Sequence, residues 1–121
     1  MVVFKASSFD REELDDNVRG LVFGFNLLGI KTEASCEGHN TDWHYPFPWV
    51  CISEDCYEQA KNIIASYNAT SPFEWIVTLH ATSKEWIVRP RSIDRCLSDL
   101  HEEAFRLADF LFRRYKKERL A

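Results

Sequence analysis

Between Ala34 and Tyr45 the chain sets a thiol, two imidazoles, two carboxylates, an amide and hydroxyls in one short span: Ala34-Ser35-Cys36-Glu37-Gly38-His39-Asn40-Thr41-Asp42-Trp43-His44-Tyr45. Several chemistries fit these residue types. A zinc site could draw on Cys36, His39 and His44, with Cys51 or His80 as a fourth ligand, because sulfur and imidazole are donors that zinc prefers. Gly38 can tighten the Cys36-x-x-His39 turn so that both side chains reach one ion, with Asp42 or Glu37 orienting the ligands from behind. A thiol nucleophile is a second chemistry. Cys36 would attack, His39 or His44 would lower its pKa, and Asp42 or Asn40 would orient the imidazole. Amides around Gly38 would then stabilise an oxyanion. A third reading needs no reaction. Tyr45 and Trp49 supply aromatic area while His39, Asn40, Asp42 and His44 supply polar specificity for a bound ligand. Against all three stands plain packing, with Cys36 a small hydrophobe at a strand end and the polar side chains satisfying loop backbone.

The elements that must position this span are legible in the apolar spacing. Val2 to Ala6 reads as a first strand. Asp10 and Glu13 have capping-box spacing, and Phe9 and Leu14 have that of a hydrophobic staple. Leu14, Val18, Leu21, Val22, Phe25 and Leu28 form a helical stripe that Gly29 ends. Ile30, Thr32, Ala34 and Cys36 alternate as a half-buried strand with Cys36 at its end. Pro46 and Pro48 keep Phe47 extended, and Trp49 to Ile52 is the next strand. Ser53 reads as the cap of a second helix with the stripe Tyr57, Ala60, Ile63, Ile64 and Tyr67. Phe73, Trp75, Val77, Leu79 and Ala81 then pair, through a turn near Ser83, with a return strand from Trp86 that Pro90 stops. Ser92 reads as the cap of a long last helix from Ile93 to Tyr115.

That order predicts an α+β domain over residues 1–121, a ferredoxin-like βαββαβ sandwich with an added C-terminal strand and long helix. In it, His80 would share a rim of the sheet with the Cys36 loop, and Arg89 and Arg91 would fall at the opposite rim. Arg89, Arg91 and Arg95 read as surface charge balancing Glu85 and Asp94, and His101 as a surface histidine. Phe105, Phe110 and Phe112 fall partly off the last helix's stripe, so that helix has a second surface to cover, for instance in a homodimer.

Bulk properties narrow the classes. The chain has 121 residues, 45% of them apolar, and a formal net charge of −4. That balance argues against a general nucleic-acid binder. The basic run Arg113-Arg114-Tyr115-Lys116-Lys117 reads as a solvated helix end suited to the helix dipole. No stretch approaches the ~20 apolar residues that span a bilayer, and no secretory leader is visible. The expected compartment is the cytoplasm, with Cys36, Cys51, Cys56 and Cys96 as free thiols or ligands.

The segment Leu28-Gly29-Ile30-Lys31-Thr32-Glu33-Ala34-Ser35-Cys36-Glu37-Gly38-His39 resembles a pattern in small bacterial and phage proteins with no established activity. In those proteins a helix ends in Gly and a short strand leads into Ser-Cys-x-Gly-His. The resemblance implies a shared strand–loop element and no activity. A fainter similarity is to the Ser-Cys-x-Gly-Arg turn of the wybutosine-synthesis methyltransferase family, where arginine stands in place of His39. That activity is not carried over. The sequence therefore predicts a small binding or regulatory module that uses the Cys36 to Trp49 loop for a small-molecule or protein partner. The alternatives are a metal- or thiol-dependent enzyme centred on Cys36 and His39, and a homo-oligomeric interaction protein using the last helix.

Overall fold

The computed structural model describes residues 15–40, 45–80 and 83–120. The expected strand at Val2 to Ala6, the Asp10 cap and the Phe9/Leu14 staple lie outside those residues. Helix α1 (Asp16–Leu27) buries Val18, Leu21, Val22 and Phe25 as its stripe requires. Its end follows the sequence too. Gly29 takes a φ of 83°, and Ile30 N–H returns to the Phe25 carbonyl at 2.9 Å, which is a left-handed cap. Next come β1 (Thr32–Cys36), β2 (Trp49–Ile52), a single 3-10 turn (Glu54–Cys56) and α2 (Tyr57–Asn68). The hairpin of β3 (Trp75–Leu79) and β4 (Trp86–Pro90) precedes α3 (Leu97–Leu120).

The sheet order is β1-β2-β4-β3, with every neighbouring pair antiparallel. This overturns the ferredoxin-like expectation. The place beside β2, expected for the strand at residues 2–6, belongs to β4, with Val50 opposite Val88 and Cys51 opposite Ile87. Two physical reasons favour β4 there. A hairpin closes over a short loop at small entropic cost. Ile87 and Val88 are both buried although they point to opposite faces, as a central strand demands. Strands β2 and β3 thus run parallel to each other with β4 between them.

One face of this sheet carries Val50, Ile52, Trp75 and Val88, which join α1, α2 and α3 in the main core. The other face carries a separate small cluster of Ala34, Cys51 and Ile87, with Trp49 against it. Glycine spacing fixes the closest helix contact. A Cβ on Gly24 would stand 2.8 Å from the Leu111 Cβ, and one on Gly20 would stand 3.2 Å from that of Ala108. Bare backbone at both positions lets α1 and α3 meet along one side.

The last helix starts later than Ser92. Residues 91–96 stay irregular, and two of their side chains, Arg91 and Arg95, are held elsewhere. Arg91 pairs with Glu74 at 3.4 Å. Arg95 lies over the Phe73 ring, 4.8 Å from its centroid, and reaches the buried Glu103 at 3.3 Å. The expected balance of these arginines against Glu85 and Asp94 is replaced by those partners. Phe110 and Phe112 pack on the main core, whereas Phe105 is 50% exposed.

Candidate functional site

Cys36 ends β1 opposite Trp49. Just after it the loop is fastened to two helices. Glu37 N–H donates to Asp15 Oδ2 at 3.0 Å, and Glu37 Oε1 accepts from the Asn17 backbone N–H at 3.3 Å and from Asn17 Nδ2 at 2.9 Å. His101 Nε2 donates to the Glu37 carbonyl at 2.8 Å. His101, expected at the surface, is therefore a half-buried tether between α3 and the loop. Gly38 adopts a φ of 89°, and a Cβ there would sit 2.7 Å from the Phe47 backbone. Only glycine fits this crossing. His39 N–H then donates to the Tyr45 carbonyl at 3.1 Å, closing the loop on itself.

This scaffold brings together Asp15, Cys36 and His39, one ligand atom from each lying within 4.8 Å of the others. Sequence reasoning paired Cys36 with His39 and missed Asp15, whose position in space depends on how α1 packs. The Cys36 thiol stands above its ordinary pKa of 9.0, first because it is buried. The Gly38 N–H, donating to its sulfur at 3.4 Å, works the other way, and the Asp15 and Glu37 carboxylates add to the rise. A thiol held protonated is a poor nucleophile, so this setting does not favour the thiol chemistry. Asp42 and His44 lie outside the described residues. Asn40, a predicted ligand contact, is exposed.

His80 does not join Cys36. The strand register puts Cys36, Trp49 and Arg89 at one end of the sheet and His80 beyond Leu79 at the other. This corrects both expected rim positions. The separation along the strands is about 13 Å. The loop nonetheless reaches His80, because Tyr45 lies across the face opposite the described helices. Ser83 N–H donates to His80 Nδ1 at 3.1 Å. The neutral ring thus carries its proton on Nε2, which donates to Tyr45 Oη at 2.7 Å. Both ring nitrogens of His80 are engaged in these bonds, which prop Tyr45 against the hairpin turn.

Cys51, the other suggested fourth ligand, belongs to a different group. Its thiol donates to Glu85 Oε2 at 3.3 Å, and Glu33 completes a second set of ligand atoms within 4.8 Å of one another. A bulge between Thr32 and Ala34 brings Glu33 to this side. Burial first, then Glu85 and Glu33, push the Cys51 thiol up to about 12.

Between the loop and the hairpin turn lies a hollow of about 510 Å³. Its lining joins Ala34, Trp49 and Ile87 to Cys36, Cys51, Tyr45, His80, Ser83 and Glu85. Pockets of roughly 300–1,000 Å³ with an apolar floor and a few convergent polar groups are typical of small-molecule sites. A second hollow, of about 610 Å³, is lined by Ser66, Phe110 and cations of α3. There Arg113 is paired with Asp109 at 2.9 Å and Arg114 with Glu118 at 3.7 Å, and no described residue of the loop contributes.

No protein-family model matches the chain, and comparison with curated proteins and with solved structures finds no significant match. No helix among the described residues is long and apolar enough to cross a membrane.

Proposed function

We propose that this protein is a binding module that receives a small molecule in the hollow on the sheet face opposite the described helices. One observation carries the reading. Tyr45 crosses that face and is held by His80 at 2.7 Å, so the loop and the hairpin together wall a space floored by Ala34, Trp49 and Ile87. Aromatic and aliphatic walls favour a flat or apolar body. Among the described residues Glu85 is the acidic group in the lining, and neither Lys nor Arg contributes to it. The ligand's polar end is therefore a hydrogen-bond donor or a cation, and an aryl amine is the simplest molecule of that kind.

Ligand-observed NMR with phenethylamine and tryptamine as probes tests this. Saturation transfer to the aryl protons is expected with the wild type and is lost in Trp49→Ala. Glu85→Gln weakens amine binding more than binding of the corresponding alcohol. Equal binding by all three proteins contradicts the reading.

A second reading is favoured by the meeting of Cys36 and His39 beside this hollow. In it a zinc ion held there acts on the molecule in the hollow, which Cys36 also lines. Turnover separates the two readings, because a binding module returns its ligand unchanged.

A further inference from the structure

Asp15 precedes α1, Cys36 ends β1 and His39 lies in the turn beyond, yet their ligand atoms converge within 4.8 Å. We propose that these three side chains hold one divalent transition-metal ion, zinc by ligand type, and that the ion clasps the start of α1 to the end of β1. The proposal rests on the zinc reading of Cys36 and His39 and adds a third ligand and a structural consequence.

Thiolate, imidazole and carboxylate are the three donor types of protein zinc sites. One thiolate and one carboxylate also neutralise a divalent charge, which suits a half-buried position. On binding, the Cys36 S–H bond breaks, a sulfur–metal bond forms and the proton leaves to solvent. Asp15 and neutral His39 donate lone pairs, and nothing is oxidised or reduced. The surroundings already support such ligands. Gly38 N–H donates to Cys36 Sγ at 3.4 Å. Glu37 N–H holds Asp15 Oδ2 at 3.0 Å, and the same carboxylate already bonds the Cys36 thiol whose proton the ion would replace. Three protein ligands leave a fourth position for a donor from solvent or from a molecule in the hollow that Cys36 lines.

Cobalt(II) titration of the full, chelator-treated chain tests the inference, because a cobalt–thiolate bond absorbs in the near ultraviolet. One equivalent is expected to produce that band and to raise Tm. Cys36→Ser abolishes the band. Asp15→Asn, with its fold checked by circular dichroism, weakens binding at least about tenfold, since loss of even an outer-shell partner costs 10–100-fold. Cys51→Ser leaves the band intact. A missing band, a band lost in Cys51→Ser, or unchanged affinity in Asp15→Asn overturns the proposal. If His39→Ala lowers cobalt affinity while Asp15→Asn does not, the third ligand fails and the Cys36–His39 reading survives. If neither variant matters, both fail.

Discussion

Glu37 caps a helix that begins twenty-one residues before it. Its Oε1 accepts the Asn17 backbone N–H at 3.3 Å, while its own N–H donates to Asp15 Oδ2 at 3.0 Å. Asp15, the N-cap residue, makes no side-chain cap bond to its own helix. Two orphan donors are thus satisfied reciprocally, as in a capping box, but between segments distant in sequence. Glu37→Ala should therefore destabilise the whole domain by about 1 kcal/mol, the usual cost of a lost cap. Glu37→Gln, which keeps an acceptor, should cost less. Urea denaturation of the two variants measures the difference.

Gly38→Ala should be worse than either. A Cβ would meet Phe47 backbone atoms at 2.7 Å, and the φ of 89° is unfavourable for alanine. Backbone cannot yield as a flexible side chain can. The expected outcome is a displaced loop with the Tyr45–His80 contact broken, seen as loss of the Tyr45 and His80 shifts in NMR spectra at little change in helix content.

Alkylation should follow exposure and thiolate character. Cys96 is exposed, whereas Cys51 and Cys56 are buried, and the Cys36 pKa is raised by burial. Iodoacetamide at neutral pH is expected to label Cys96 first and Cys36 slowly. Mass spectrometry of the partial digest reads the order. Labelling of Cys36 ahead of Cys96 would revive the nucleophile reading.

Cys51 makes stability depend on alkaline pH. The unfolded chain loses this thiol proton near 9.0, and the folded protein keeps it to about 12. Between those values the folded state binds more protons, so stability falls as pH rises. Cys36 acts in the same direction. Cys51→Ala should flatten the decline in a series of Tm values taken above pH 9.0. An unchanged slope would contradict the assigned environment.

Local signals in the sequence were sufficient for the body of α1 and its Gly29 end, for the body of α2 and for the hairpin, because period and turn chemistry decide those; the starts moved, to Asp16 in α1 and, past a 3-10 turn that Ser53 precedes without a side-chain cap bond, to Tyr57 in α2. Strand order depended on which strand could be buried on both faces. The run Trp86-Ile87-Val88 carried that signal in its two successive apolar residues, Ile87 and Val88, both of which are buried. The start of α3 moved too, and Arg91 and Arg95 before it are held by Glu74 and Glu103, partners no local pattern reveals. At the site, Cys36, Gly38 and His39 are one turn and were visible as such. Asp15 and His101 come to them through helix packing, and His80 meets Tyr45 only because the loop crosses the sheet.

The proposed function requires that a ligand sit in the hollow behind Tyr45. Titration of isotope-labelled protein with phenethylamine, followed through backbone amide shifts, decides whether it does. Saturable shifts are expected at Cys36, Tyr45, Trp49, His80, Glu85 and Ile87, absent in Trp49→Ala. Shifts centred instead on Ser66, Phe110 and Arg114, or none at saturating probe, would contradict it.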